Sequence, residues 1–352
     1  MGKSHFYIIL LLLGNVLIAS AQPAINTSNL THNTLSSGNF FQDEKLVTMD
    51  LATDLKKLIS EKKLETYQPA TVTCRFPDSS VISEPIRLSA RGEFRRTECF
   101  VPSIKLDFKN ETSPRLSPLS KLKLVVGCGA RADDERLLLK EFLIYKIYNL
   151  LTEQSFRVRL LHINYKDTRD KIKAYSQYGF LIEDVDKMAK RNNCYEVEKQ
   201  VFSTERTDRD QMTLVAIFQY MIGNTDWSVP NYHNTKLMRP INDSISFPYV
   251  VPYDFDFAGL VNASYAIPSP DLAITSVKQR LYRGFPRTME ELQRTLKIFR
   301  EKQEAIKNLI MNFELLNIRY RKEMVDYLDE FYKTIESTSF VKRIFIEEAR
   351  NN

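Results

Sequence analysis

The chain has 352 residues, a formal net charge of +6 and 43% hydrophobic residues. Charges of both signs are mixed along its length without a basic block, which argues against a nucleic-acid-binding protein. The hydrophobic fraction is typical of a globular protein, and the length suits one large two-lobed unit or two modest domains.

The first 21 residues predict a secretory signal peptide. Lys3 supplies the positive start, the apolar run Phe6–Ile18 is too short to cross a bilayer comfortably, and residues 19–21 (Ala-Ser-Ala) fit a cleavage site. Residues 22–42 are rich in Asn, Ser and Thr and predict a flexible leader. No later run predicts a transmembrane helix. We therefore expect an exported protein, periplasmic or extracellular, with an uncleaved N-terminal anchor as the alternative.

Four cysteines occur in the chain, at Cys74, Cys99, Cys128 and Cys194. No pair has the close spacing of a zinc site. In an exported protein an even number of cysteines permits disulfides. Cys99 and Cys128 flank a strand-like block and are the predicted pair, with buried free thiols as the alternative.

Residues 43–186 predict a first lobe made mainly of strands. A strong helix is predicted over 133–151, where three acidic residues at its start favour the positive end of the helix dipole. Apolar or alternating runs bounded by turn residues predict strands at Leu46–Leu51, Ala70–Phe76, Ile86–Arg91, Ser103–Phe108, Leu122–Val126, Arg157–Tyr165 and Tyr178–Ile182.

Residues 187–352 predict a second, helical lobe. A compact apolar helix is predicted over Asp210–Ile222, and Thr288 and Glu291 have the spacing of a capping box that begins a long amphipathic helix. The order of elements predicts an α+β, two-lobed protein-kinase-like fold, with a sheet-rich N-lobe carrying one helix and a helical C-lobe.

A polar loop after the apolar helix has the residue order of a phosphoryl-transfer site. Asp226 is the candidate residue that orients or deprotonates an attacking hydroxyl. Two asparagines compete as metal ligand: Asn231 follows Asp226 by five residues and Asn234 by eight. Asn234 is preferred because it directly precedes the predicted strand Thr235–Met238. A turn rich in good turn formers is the alternative interpretation.

Asp254 and Asp256 form a second acidic pair in the segment Pro-Tyr-Asp-Phe-Asp. Alternate residues of an extended segment point to one face, so the two carboxylates are expected side by side. Neighbouring carboxylates repel each other unless a cation or a base lies between them, and flanking aromatic residues indicate burial. The pair therefore predicts a divalent metal site, with a surface acidic pair as the alternative.

Cationic residues of the first lobe are candidates for nucleotide binding. Lys123 alternates out of an apolar strand and is predicted to pair with Glu141 of the following helix, while Lys105 is a competing lysine one strand earlier. Arg91 and Gly92 open an arginine-rich turn that can bind phosphate through side chains. Solvated lysines and a plain charged turn are the alternatives.

With these residues identified, the chain resembles the spore-coat-protein-H-like (CotH) family of atypical exported kinases. The resemblance consists of the Arg91-Gly92 turn, the Asn224–Trp227 segment that leads to an asparagine before a strand, and the Pro252–Asp256 segment. Two of these pieces are also similar to HipA-type serine/threonine kinases. The resemblance implies that Asp226 is the catalytic aspartate and that Asp254 binds metal.

The resemblance covers roughly residues 80–260 and is incomplete. The loop before Asn234 is longer than the family pattern, and Glu93 follows the Arg-Gly turn where the family has Asn-Ser. What the resemblance implies is transfer of phosphate from ATP to Ser or Thr of a protein acceptor, with Mg²⁺ or Mn²⁺. The alternatives are an inactive kinase-fold binding protein of the cell envelope and a carboxylate-pair glycosidase built on Asp226.

Overall fold

Seven strands close into a barrel, and a mainly helical part follows it in the chain. The computed structural model describes residues 1–2, 40–108, 113, 116, 119–129, 132–197, 203–243 and 245–350. The predicted signal peptide beyond its first two residues, and the predicted leader up to residue 39, lie outside the described residues. The elements below belong to one unit, Leu35–Asn352.

The barrel strands follow the order β1-β2-β3-β4-β5-β7-β6, and β1 pairs with β6 to close the sheet. All neighbouring strands are antiparallel except β1 and β6, which run parallel. Their bounds are β1 Val47–Thr53, β2 Gln68–Arg75, β3 Val81–Arg91, β4 Ser103–Asp107, β5 Lys121–Val126, β6 Val158–Asp167 and β7 Tyr175–Ile182.

The predicted two-lobed protein-kinase-like fold is wrong, because the N-terminal sheet is a closed barrel and not an open sheet. Alternating apolar residues indicate which face of a strand is buried, but they do not indicate whether the edges of the sheet find each other. Closure depends on the parallel register that runs from Val47 opposite Leu161 to Thr53 opposite Asp167. That pairing joins distant segments and leaves no local signal in the sequence.

Alternation along the strands divides the barrel residues between two environments. On β5, Leu122, Leu124 and Val126 belong to the core inside the barrel. Lys123 and Val125 therefore face outward, and Val125 packs in the core of the helical part. The outer surface of the barrel is thus one wall of the space in which the candidate site lies.

The second core is formed by helices and a small sheet of order β10-β9-β8. α5 is buried from Gln211 to its last residue, Ile222. The strand bounds are β8 Cys194–Glu196, β9 Thr235–Pro240 and β10 Tyr249–Pro252. The helices are α1 Leu55–Ser60, α2 Glu93–Glu98, α3 Ala132–Leu151, α4 Val185–Arg191, α5 Arg209–Ile222, α6 Met289–Met311, α7 Ile318–Glu336 and α8 Thr338–Lys342.

Several local predictions are confirmed. α3 and α5 occupy the predicted helical segments, and α6 begins with the predicted capping box, in which Thr288 and Glu291 bond each other's backbone. Cys99 and Cys128 form the predicted disulfide, whereas the other two cysteines are free and buried. Among the helices of the described part, none combines the length and the apolar character needed to cross a membrane.

Candidate functional site

A cavity of about 520 Å³ lies between the outer surface of the barrel and the loops around β9 and β10. We call it the cleft. A slightly larger cavity of about 550 Å³, beside α3 and α6, contains no predicted site residue. The cleft is lined by the predicted residues Arg91, Gly92, Lys123, Asp226, Asn234, Asp254 and Asp256, together with Arg95, Ser103, Val125, Tyr145, Ile182, His233, Tyr253 and Phe257.

The Asp226 loop is held in place by contacts on both sides. α5 ends at Gly223 in the left-handed conformation (φ +66°), where a Cβ would lie 2.1 Å from Tyr327 Oη. Asn224 Oδ1 then accepts a hydrogen bond from the Asp226 backbone N–H at 3.0 Å. Arg283 donates to the carbonyls of Thr225 and Trp227, on either side of Asp226. The loop therefore presents Asp226 in a defined position.

The carboxylate of Asp226 contacts two neighbours of the loop. His233 Nε2 lies 2.7 Å from Oδ1, and Asn234 Nδ2 donates to Oδ2 at 2.9 Å. The Asp226 side chain remains 37% exposed to the cleft. A carboxylate has about four acceptor positions, so Asp226 can still accept a proton or a further hydrogen bond.

Of the two candidate asparagines, the structure brings only Asn234 to the cleft. Asn234 is buried, adopts the left-handed conformation (φ +52°), and its carbonyl accepts the backbone N–H of Tyr253 at 3.0 Å. Asn231 is exposed and does not line the cleft. Because Asn234 Nδ2 is used by Asp226, its Oδ1 is the atom left to bind a ligand.

Asp254 and Asp256 both line the cleft, but the expected extended segment is wrong. Asp254 is in the left-handed conformation (φ +63°), so the alternation of side chains breaks there. Its backbone N–H donates to Tyr145 Oη at 2.8 Å, and its carboxylate is exposed, without a hydrogen bond or ion pair among the described residues. Asp256 is buried, and burial followed by the charge of Asp254 raises the pKa of Asp256 to about 6.

Arg95, which the sequence interpretation did not single out, is the base that pairs with Asp256. Its guanidinium lies 3.2 Å from Asp256 Oδ2 and 3.8 Å from Glu141 Oε2, and Tyr265 Oη also donates to Asp256. The predicted Lys123–Glu141 pair is therefore wrong. The six-residue helix α2, at the position of the predicted turn, directs Arg95 inward. The cluster of arginines in the sequence was the only signal for the role of Arg95.

Lys123 and Arg91 face the cleft from the outer surface of the barrel. Lys123 Nζ lies 4.7 Å from the centre of the Tyr253 ring, and burial, followed by the charge of Arg91, lowers the pKa of Lys123 to about 8. Arg91 Nε is buried without a hydrogen-bond partner, and burial lowers the pKa of the guanidinium. Among the described residues, neither side chain forms a hydrogen bond or an ion pair. The competing Lys105 lies opposite Lys123 on β4 but does not line the cleft.

No family model matches the chain, and no curated protein is significantly similar to it. The resemblance to the CotH and HipA-type kinases therefore stays a prediction.

Asp254 and Asn234 are the candidate oxygen donors for a metal ion in the cleft. Within the described ranges, no group of three or more His, Cys, Asp and Glu side chains is arranged to hold a metal by itself. Asp254 offers a carboxylate that forms no hydrogen bond or ion pair among the described residues, and Asn234 offers its amide oxygen. Mg²⁺ is commonly bound through one or two carboxylates together with substrate phosphates and water, so a small donor set suits it.

Proposed function

We propose that the cleft binds ATP with one divalent cation and transfers the terminal phosphate to a Ser or Thr hydroxyl of a protein acceptor. One observation carries the proposal: Arg91 and Lys123, two cations that form no hydrogen bond or ion pair among the described residues, line the same cleft as Asp226, Asn234 and Asp254. Burial lowers the pKa of both cations although the nearby charge of Asp254 acts in the opposite direction, so this wall of the cleft favours a further anion such as a polyphosphate.

Each residue of the cleft then has a chemical task. Arg91 and Lys123 bind phosphate oxygens and offset the charge that develops on them. Asp226 orients the acceptor hydroxyl and accepts its proton as the acceptor oxygen bonds to the terminal phosphorus. The bond between that phosphorus and the bridging oxygen breaks, and ADP leaves with the bond's electron pair.

Asp254 and Asn234 would hold the divalent cation, which when bound supplies positive charge to the phosphates. Arg283 keeps the Asp226 loop in position from behind, through the carbonyls on either side of that residue. The proposal rests on these side chains and not on the fold, because a barrel of this kind does not by itself indicate an activity.

A binding protein without turnover is the second candidate. It is favoured by the contacts of Asp226, because both carboxylate oxygens already lie within hydrogen-bond distance of His233 or Asn234. Such a protein would hold an anionic ligand in the cleft through Arg91 and Lys123, without transferring a group.

Thermal unfolding with ATP and Mg²⁺ or Mn²⁺ tests the site. A ligand at about 100 times its dissociation constant stabilises the folded protein by roughly 2.7 kcal/mol, which raises the melting temperature by several degrees. We expect Asp254→Asn to abolish the metal-dependent part of this rise. Asp271→Asn, at an exposed aspartate outside the cleft, is the matched control and should retain it. No stabilisation of the wild-type protein by any nucleotide and metal would contradict the proposal.

Phosphate transfer from γ-labelled ATP separates the two candidates. We expect Asp226→Asn to bind ATP as the wild type does but to transfer phosphate at least about 100-fold more slowly, because the proton acceptor is lost. Wild-type protein that is stabilised by ATP and metal, yet transfers no phosphate to itself or to a panel of acceptor proteins, would favour the binding protein.

A further inference from the structure

The last turns of α5 contain a buried amide to which the proposed function gives no task. Gln219 is 1% exposed and lies between Phe218 and Tyr220 in the core of the helical part. Its Nε2 is buried and forms no hydrogen bond among the described residues. A buried donor of this kind reduces stability, so packing of the core does not by itself account for a glutamine at this position.

Gln219 binds Asn224 through two hydrogen bonds. Its backbone carbonyl accepts from the Asn224 backbone N–H at 2.8 Å, and its Oε1 accepts from Asn224 Nδ2 at 3.0 Å. Asn224 is also 1% exposed, so both amides are removed from bulk water. The backbone bond can form with any residue at position 219, whereas the side-chain bond requires an acceptor of this length.

The side-chain bond determines which way the Asn224 amide faces. Because Oε1 of Gln219 can only accept, it selects the NH₂ group of Asn224 and directs the amide oxygen to the opposite side. There Asn224 Oδ1 accepts from the Asp226 backbone N–H at 3.0 Å. If the Asn224 amide were reversed, its NH₂ group would face another donor, and the hydrogen bond to Asp226 would be lost.

We propose that Gln219 is a positioning residue for Asp226: its Oε1 fixes the Asn224 amide, which holds the backbone of Asp226 at the cleft. This inference rests on the proposed function for the chemical task of Asp226. A general base has to lie within hydrogen-bond distance of the hydroxyl from which it accepts a proton. Arg283 holds the carbonyls on either side of Asp226, and Gln219 acts through the N–H of Asp226 itself.

Two buried glutamines of α5 provide a matched pair of variants, Gln219→Met and Gln211→Met. Nε2 of Gln211 donates to Tyr148 Oη and to the carbonyl of Val250, so its contacts do not involve the Asp226 loop. Both substitutions replace an amide by an apolar side chain of similar length. Gln219→Glu retains an acceptor for Asn224, because burial favours the neutral acid, and should preserve the position of the loop.

Hydrogen–deuterium exchange measured by mass spectrometry tests this contact independently of any reaction. We expect the backbone amides of residues 225–227 to exchange at least about tenfold faster in Gln219→Met than in the wild type, Gln211→Met or Gln219→Glu. Unchanged exchange in folded Gln219→Met, or equal acceleration in Gln211→Met, would overturn the inference. If Gln219→Met does not fold, Gln219→Asn decides, since its shorter amide cannot reach Asn224 and should give the same acceleration.

The kinetics of phosphate transfer distinguish this inference from the proposed function. We expect Gln219→Met to lower kcat at least about tenfold and to leave KM for ATP within about twofold, because the cationic wall of the cleft is unchanged. A higher KM with unchanged kcat would contradict a positioning role. Wild-type protein that transfers no phosphate would overturn the proposed function, while the exchange measurement still decides whether Gln219 positions Asp226.

Discussion

Lys123 carries a charge in a place that disfavours it. The side chain is largely buried on the outer surface of the barrel, with the Tyr253 ring under its ammonium group, and its pKa is lowered to about 8. Burial of this charge therefore lowers the free energy of unfolding whenever the lysine is protonated. A charged group whose burial reduces stability at a cleft is typical of a binding site, where a bound anion would add counter-charge.

Replacement of Lys123 by Met should stabilise the protein and weaken ATP binding. The folded pKa of about 8 lies below the unfolded value of 10.5, so the cost is fully present below pH 8 and disappears as the pH rises through 10.5. We expect Lys123→Met to raise the free energy of unfolding by about 2 kcal/mol at pH 7. Urea denaturation at pH 7 and pH 10 measures this gain in the free energy of unfolding and its decrease at the higher pH.

Lys105→Met is the control for this prediction, since Lys105 lies opposite Lys123 on the neighbouring strand but outside the cleft. Its effects on stability and on ATP binding should be small. A Lys123→Met protein that is less stable than the wild type at pH 7, or that binds ATP with unchanged affinity, would contradict the role given to this residue.

At the scale of elements, the start of α6 is the best-defined local structure in the helical part. Thr288 and Glu291 form a capping box, and Arg209 at the start of α5 also binds the Glu291 carboxylate. The hydrogen bond from Arg209 is the main cause that lowers the pKa of Glu291 to about 2. One carboxylate thus stabilises the first turn of α6 and connects it to α5.

Glu291→Gln should destabilise the protein by about 1 kcal/mol at neutral pH, because the charge-assisted contact with Arg209 is lost. Because folding lowers the pKa of Glu291, this stabilisation is fully present above pH 4.5, the pKa in the unfolded chain. It should vanish as the pH falls toward 2. Denaturation at pH 7 and at pH 2.5 measures it. Glu290→Gln, on the same turn and paired with exposed Arg294, should change stability much less; equal losses in both variants would contradict the prediction.

At the scale of the whole molecule, the disulfide joins the connection between β3 and β4 to the segment that follows β5. Cys99 follows α2 and Cys128 precedes α3, so the covalent bond closes a chain segment with a sequence separation of 29 residues. Cross-linking of a loop of this length reduces the conformational freedom of the unfolded chain. The bond also keeps α2, which carries Arg95, beside the end of β5.

Reduction of the disulfide should lower the free energy of unfolding by about 3 kcal/mol, because the unfolded chain regains the conformational entropy that the closed loop restricts. A reductant should therefore lower the melting temperature of the wild-type protein to that of the Cys99→Ser/Cys128→Ser variant. It should leave the variant itself unchanged, because the other two cysteines are already free thiols. A reductant that further destabilises the variant would contradict this explanation.

The sequence predicted the local elements of this molecule well. The strands of the barrel follow from alternating apolar residues, and α5 and α6 follow from helical periodicity and from the Thr288 cap. The cysteine pair, and the arrival of Asp226, Asn234 and Asp254 at one cleft with Lys123, also agree with expectations from the sequence. These features depend on short segments, in which residue type and spacing limit the conformations available.

Only the tertiary structure decided how these elements join. The barrel closes through Val47–Thr53 pairing with a distant strand, and Arg95 meets Asp256 across 161 residues of chain. The backbone of Asp254, in the left-handed conformation, is held by a hydrogen bond to Tyr145 of α3. No local sequence pattern predicts this contact. Contacts of this kind depend on which distant surfaces pack together. The sequence alone therefore determined the elements and the candidate residues. Packing determined the closed barrel and the partner of each buried charge.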